Sequence, residues 1–165
     1  MTTITEDDTT LVLTRAFAAP PEAVFDAWLV REEWQAWIGP EGMQCEVPEM
    51  EPRVGGRYRI LMRMSDGRTL PVAGVFKAIE RPTRVAFTWG WENDPERQSL
   101  ITVTITPVAG GAELTLRQEG LGTVQNRDDH VRGWGSALGK LERYLAGRLP
   151  AACTISAPVD RRRAT

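Results

Sequence analysis

The sequence predicts an α+β fold in which one curved antiparallel sheet is covered by a long C-terminal helix. Strand patterns are grouped between about Met43 and Gly120, and helical patterns lie before and after them. This grouping is typical of α+β domains rather than of folds with alternating strands and helices. The last helix carries the only long apolar stripe that could cover the sheet. A sheet curved around one helix leaves a space that large side chains or a ligand must fill.

The N-terminal part predicts one strand and two short helices. Residues Thr10–Phe17 alternate in polarity, as a strand does. A helix is then predicted at Pro21, because a proline in the first turn followed by an acidic residue is a start signal. The second helix carries Trp34 and ends at the Gly39-Pro40 pair, which cannot continue a helix.

The middle of the chain predicts about six strands joined by turns. In RYRILMRM every second residue from Tyr58 to Met64 is apolar, as in a half-buried antiparallel strand. The Asp66-Gly67 pair is a hairpin signal. The strand patterns that follow are TLPVAGVFKAIE, RVAFTWGWE, SLITVTITPV and AELTLRQEG.

A long amphipathic helix is predicted from about Thr123 to Leu149. Its apolar positions recur every three or four residues; they are Val131, Trp134, Leu138, Leu141 and Leu145. Glycines inside a helix each cost about 1 kcal/mol relative to alanine. Gly133 and Gly139 therefore predict a close contact between this helix and its neighbours.

Composition predicts an ordinary globular protein with a core of its own. The chain has 165 residues and a formal net charge of −2, and near-neutral charge argues against a nucleic-acid surface. No apolar run approaches the roughly 18 residues that span a membrane. The acidic N-terminus lacks the basic region of a secretory signal, and Cys45 and Cys153 lie far apart. We therefore expect a reduced, cytoplasmic protein.

Most catalytic classes have little support in the sequence. His130 is the one histidine; with Cys45 and Cys153 it shows no zinc-ligand spacing, so we expect neither a metal nor another cofactor. No serine lies in a G-x-S-x-G elbow. His130 is the weak catalytic candidate, and the chain is interpreted as a protein without a defensible catalytic residue.

Several motifs, taken in order, resemble one family. They are AFAAPPEAVFDAWLVREEWQAWIGP, VGGRYR, a DG hairpin, G-x-F-x-x-I-E-x-P, RVAFTW, and H-x-x-GW-x-x-x-L-x-x-L-x-x-YL. The family is the bacterial branch related to the activator of the heat-shock-protein-90 ATPase, in the START-like or SRPBCC superfamily. The resemblance implies the helix-grip fold, in which an antiparallel sheet wraps a long C-terminal helix around an apolar cavity. It covers roughly residues 10 to 149.

The predicted organisation is a single domain with two extensions. Residues 1–9 are expected to form a flexible N-terminal arm, residues 10–149 the START-like domain, and residues 150–165 a flexible tail containing Arg161, Arg162 and Arg163. Three arginines on a tail are usually only solvated charge.

We expect the ligand-binding residues to lie on the apolar strand faces and on the last helix. They are Tyr58, Ile60, Met62, Met64, Phe76, Phe87, Trp89, Leu116, Gln118, His130 and Trp134. Plain core is the alternative interpretation of the aromatic and methionine residues, and Trp134 could wedge against the short helices. His130 could hold a ligand's polar head or exchange a proton; alternatively, it is a partly exposed histidine beside Asp128 and Asp129.

Three functional hypotheses follow. The leading one is binding of a small apolar molecule, lipid-like or polycyclic, in the helix-grip cavity. The second is an enzyme like the polyketide cyclases and aromatases of the superfamily, which would need His130, Tyr58 or Gln118 in the pocket. The third is an interaction protein that assists a heat-shock ATPase in the stress response. A homodimer is left open.

Overall fold

The computed structural model describes residues 2–7, 9–94 and 96–148 and contains eight strands and three helices in these parts of the chain. In order they are β1 (Thr2–Asp7), β2 (Thr10–Phe17), α1 (Pro21–Asp26), α2 (Arg31–Trp37), β3 (Gln44–Met50), β4 (Arg57–Arg63), β5 (Thr69–Glu80), β6 (Arg84–Trp91), β7 (Ser99–Val108), β8 (Gly111–Glu119) and α3 (Val124–Arg148).

All eight strands belong to one antiparallel sheet with the order β1-β2-β8-β7-β6-β5-β4-β3. The six strands after the short helices form a continuous meander, as the sequence predicts. β2 crosses over to pair with β8, where Leu13 is opposite Leu116. The first and last parts of the sheet in sequence are thus neighbours, and β1 follows β2 at the edge.

The short helices have the predicted start and stop signals. Pro20 is the residue before α1, and Pro21 is its first residue. α2 ends at Trp37 and is capped by Ile38, after which Gly39 adopts φ = +85°, a value that side-chain-bearing residues rarely adopt. The turn at Gly39 directs Pro40 towards α3.

α3 lies across the concave side of the sheet. Thr123 Oγ1 accepts the backbone N–H of Asn126 at 3.1 Å, which satisfies one of the unpaired donors at the helix start. Trp134, Leu138, Leu141 and Leu145 are buried in the same core as the strand residues. This is the helix-grip fold, which confirms the predicted fold class.

Gly133 and Gly139 do not make the predicted close contact. An added Cβ at Gly133 would meet Pro40 Cγ at 3.7 Å, and one at Gly139 would meet Arg143 Nη1 at 3.8 Å. Both are ordinary van der Waals distances, so a methyl group would fit at either position.

One edge strand of the sheet, β1, was not predicted from the sequence. Thr2–Asp7, assigned from the sequence to a flexible arm, pair with β2 as the edge strand β1. The opposite edge strand, β3, contains Pro48 and shifts register between Glu46 and Glu49. The tail over residues 150–165 lies outside the described residues, and the domain limits stay a prediction.

Candidate ligand-binding site

An apolar cavity lies where the beginning of α3 faces the sheet. Its volume is about 270 Å³. Its walls come from the loop after α2, from β4, β5 and β6, and from α3; they are Gly39, Pro40, Met43, Met62, Leu70, Trp89, Trp91, Asn126, Asp129, His130, Gly133, Trp134 and Ala137. Gly133 lies in this wall and has no side chain to fill the space, and an added Cβ there would be in ordinary contact with Pro40 Cγ at 3.7 Å.

A polar cleft of about 660 Å³ adjoins the apolar cavity. It lies between the β6–β7 loop and the β8–α3 loop and is lined by Trp89, Gly90, Trp91, Asp94, Glu96, Arg97, Gln98, Ser99, Gly120, Leu121, Gly122, Thr123, Asn126 and His130. Trp89, Trp91, Asn126 and His130 line both spaces. These four residues therefore form the junction between an apolar and a polar compartment.

A buried chain of hydrogen bonds fixes the two tryptophans of the cavity wall. Trp134 Nε1–H donates to Gln118 Oε1 at 2.9 Å, and Gln118 Nε2 donates to Ser99 Oγ at 2.8 Å. Ser99 Oγ–H in turn donates to the carbonyl of Trp89 at 2.9 Å. Both polar atoms of the buried Gln118 amide are hydrogen-bonded. This residue of β8 therefore links α3 to Ser99 of β7 and, through Ser99, to β6.

His130 is at the junction, and its ring is oriented by its own helix. The Nδ1 atom lies 2.8 Å from the carbonyl oxygen of Asn126, one turn earlier. The ring also contacts Trp91, with centroids 6.4 Å apart. Burial lowers the pKa of His130 below its ordinary value, although the carbonyl of Asn126 and the charge of Asp129 oppose that effect. The imidazole is therefore neutral at neutral pH.

Four of the residues predicted to bind a ligand line the apolar cavity. They are Met62, Trp89, His130 and Trp134. The other seven predicted residues are not in the walls of either space: Tyr58, Ile60, Met64, Phe76, Phe87, Leu116 and Gln118. All of these except Met64 are buried in the core. Ligand contact by the whole set stays a prediction.

The aromatic residues on β4, β5 and β6 are covered by Trp34 of α2 and by Trp28, which lies between α1 and α2. Trp34 packs edge-on against Tyr58 at 5.0 Å and against Phe87 at 5.9 Å between ring centroids. We call this part of the interior the filled region; it comprises Trp28, Trp34, Trp37, Tyr58, Phe76 and Phe87.

Sequence analysis missed several wall residues. Trp91 follows Phe87 and Trp89 at alternate positions of β6. Because alternate residues of a strand point to the same side, Trp91 could have been predicted to lie beside them. Leu70, Gly39 and Pro40 had no such signal, because their place in the wall depends on how the β4–β5 hairpin and the loop after α2 meet α3.

Tyr58 and Gln118, the two other side chains considered for catalysis, both form hydrogen bonds inside the protein core. The hydroxyl of Tyr58 donates to the carbonyl of Thr88, and complete burial raises its pKa well above its ordinary value. Gln118 has both amide atoms in hydrogen bonds.

In the part of the chain that the structure describes, Cys45 and the acidic residues do not form a reactive or metal-binding group either. Burial raises the pKa of the Cys45 thiol, so little of the nucleophilic thiolate is present at neutral pH. Among the described residues, no group of three or more His, Cys, Asp or Glu is placed to hold a metal ion.

The chain matches one family model over most of its length. The model, described as Activator of Hsp90 ATPase homolog 1-like protein, matches residues 18–146. No curated protein matches the sequence. None of the described helices is both long and apolar enough to cross a membrane.

Solved structures from bacteria share the fold. The AHSA1 protein from Silicibacter pomeroyi is 33% identical, with a TM-score of 0.73 over 85% of this chain and 99% of that one. A protein from Chromobacterium violaceum is 28% identical, with a TM-score of 0.76 over 82% and 96% of the two chains. A protein from Arthrobacter aurescens has a TM-score of 0.80 at 18% identity, covering 89% of this chain and 92% of that one, and shows similarity of fold alone.

Proposed function

We propose, from the premise that this chain belongs to the family of Activator of Hsp90 ATPase homolog 1-like proteins, that it binds a small, largely apolar ligand in the apolar cavity. The observation that carries the proposal is the unfilled space of about 270 Å³ in an interior whose filled region is packed with aromatic rings. Ligand pockets are typically concave and mostly apolar, with a few polar groups that set orientation. We also propose that the protein is cytoplasmic.

The chemistry of the walls suits a flat or lipid-like molecule. Trp89 and Trp134 have ring centroids 5.1 Å apart and present aromatic surface to the cavity. Met43 and Met62 add flexible, polarizable side chains that adapt to different ligand shapes. Burial of a ligand's apolar surface at about 25 cal/mol per Å² would supply the affinity.

The two other functional hypotheses have less support. Of the three side chains named for catalysis, only His130 is in a cavity wall, and the group that orients its ring is a backbone carbonyl and not a carboxylate. In the described part of the chain the large apolar side chains that are exposed are Val30, Val54, Val108 and Val124. They lie on separate elements, so they offer a heat-shock ATPase no continuous apolar patch.

The experiment that tests the proposal is titration with Nile red, an uncharged dye whose emission responds to apolar surroundings. We expect stoichiometric binding to the unmodified protein. Gly133→Leu should reduce the affinity at least tenfold, because the new side chain extends from the cavity wall into the space.

Gly139→Leu provides the matched control. It makes the same change in the same helix, but Gly139 is in neither cavity wall, so the dye should bind as it does to the parent. Both variants should unfold at equal or higher denaturant concentration, since removing a helical glycine favours the helix by about 1 kcal/mol. Absence of stoichiometric dye binding to the parent, or equal binding to both variants, would contradict the proposal.

A further inference from the structure

The proton on the His130 ring is placed by geometry. Its Nδ1 atom lies 2.8 Å from the carbonyl oxygen of Asn126. A carbonyl oxygen accepts hydrogen bonds and cannot donate them, so Nδ1 must carry the proton. In a neutral imidazole the other nitrogen, Nε2, is then an acceptor. His130 thus offers a hydrogen-bond acceptor within a wall shared by the apolar cavity and the polar cleft.

The same junction contains an unpaired donor. The indole N–H of Trp89 is buried and has no hydrogen-bond partner among the described residues. Trp28 and Trp34 share this property, but neither lines the apolar cavity or the polar cleft. The indole N–H of Trp89 is itself buried, so the polar group that the junction offers to a ligand is the acceptor on His130.

The charges around the junction disfavour an acidic ligand. Asp94 and Glu96 line the polar cleft, and Asp129 lines the apolar cavity. The one cation in these walls, Arg97, is 3.3 Å from Asp94 and is already paired. A carboxylate would meet repulsion here and would find no free cation in the walls.

We propose that the ligand is a neutral, ring-sized apolar molecule bearing a hydroxyl group, which donates its hydrogen bond to Nε2 of His130. The inference rests on the proposed function and deepens it. A hydroxyl group carries a proton that it can donate to the acceptor of His130, and it brings no charge into the apolar cavity. An ammonium group would lose its hydration there.

The probes are naphthol, its methyl ether methoxynaphthalene, and naphthoate, titrated by calorimetry at neutral pH. The rings are identical, and only the polar group differs. We expect naphthol to bind about fivefold more tightly than the ether, the usual effect of one neutral hydrogen bond, and naphthoate to bind more weakly than both. In His130→Phe, which keeps a ring but removes the acceptor, the preference for naphthol over the ether should vanish.

Val124→Ala is the control, since it alters the same helix at an exposed residue outside both walls. The naphthol preference should persist in it. Equal binding of naphthol and ether to the parent would overturn the hydroxyl inference while leaving the proposed function intact. If neither these probes nor Nile red binds, the proposed function itself fails.

Nuclear magnetic resonance of the parent protein gives a second readout that needs no variant. His130 is the one histidine of the sequence, so its ring nitrogens give isolated signals. We expect the tautomer protonated on Nδ1, with an Nε2 signal that shifts on addition of naphthol and not of the ether. A ring protonated on Nε2 would overturn the inference.

Discussion

Two regions of the interior both contain aromatic rings but are packed in opposite ways. In the filled region, Trp34 of α2 lies directly on the sheet, against Tyr58 and Phe87. Around the apolar cavity, Gly39, Pro40 and Gly133 are part of the cover and bring little side-chain volume. Aromatic content therefore does not decide where a cavity forms; the size of the residues on the covering elements does.

Trp34→Ala should produce the largest effect, because it empties the centre of the filled region. Trp34 is completely buried, and truncation of a buried aromatic costs about 3–5 kcal/mol. We expect a loss of that size in the free energy of unfolding, measured by urea denaturation. Trp91→Ala, which removes a half-buried ring beside the cavity, should cost clearly less; equal losses would mean that the two regions are packed alike.

Gln118→Leu should break the connection that holds the cavity walls. It leaves the indole N–H of Trp134 without its partner, whereas the Ser99 hydroxyl keeps its hydrogen bond to the carbonyl of Trp89. Buried groups left unsatisfied cost about 1–3 kcal/mol, so the free energy of unfolding should fall by that amount and Nile red should bind more weakly. Unchanged stability together with unchanged binding would show that this network does not position Trp134.

Ile60→Trp and Met62→Trp compare the two regions on one strand. Both residues are buried on the same face of β4, but Ile60 is outside the cavity walls and Met62 is within them. Overpacking should cost Ile60→Trp about 1–3 kcal/mol. Met62→Trp should cost about 1 kcal/mol or less, because the new ring enters the cavity, and it should abolish dye binding. A larger loss in Met62→Trp than in Ile60→Trp would contradict the comparison.

The smallest expected effect is the contribution of His130 to the pH dependence of stability. Burial lowers the pKa of His130 in the folded protein, so the unfolded chain takes up a proton more readily than the folded one. The contribution of His130 to stability is therefore complete above its unfolded pKa of about 6.5 and declines as the pH falls from there towards the lower folded value. Asp94, Glu96, Arg97 and Asp129 are the charged groups in the surrounding walls.

The measurement is urea denaturation of the parent and of His130→Phe at several pH values between neutral and mildly acidic. The parent should lose more stability than the variant over this interval, since the carboxylates titrate in both proteins and their effect cancels. A steeper decline in the variant would contradict the direction given for the pKa of His130.

Much of the fold could be predicted from periodicity. The alternation in β4 and the spacing of three and four residues in α3 depend on local geometry and hold in the structure. β1 was missed because its sequence, TTITED, has a single apolar residue and no alternating face. β1 is held in the sheet by backbone pairing with β2. A pattern of apolar residues does not report such pairing.

The candidate site was harder to predict for a physical reason. Alternation shows that Tyr58 and Met62 point to the same side of β4, but not which element covers each of them. That depends on where α1 and α2 pack, and the spacing of Trp28 and Trp34 indicates only that both are buried. Residues of one strand face thus divide between solid core and cavity wall.

The bulge and the proline of β3 also bear on how molecules of this protein meet each other. An open sheet has two edges whose free backbone groups can recruit a strand from another chain, which is a route to aggregation. Here β3 interrupts its own register between Glu46 and Glu49, places Pro48 within that interruption, and exposes both glutamates. β1, at the other edge, shifts register between Ile4 and Asp7. Neither edge is a regular template, so growth of the sheet from one molecule into the next is discouraged at both sides.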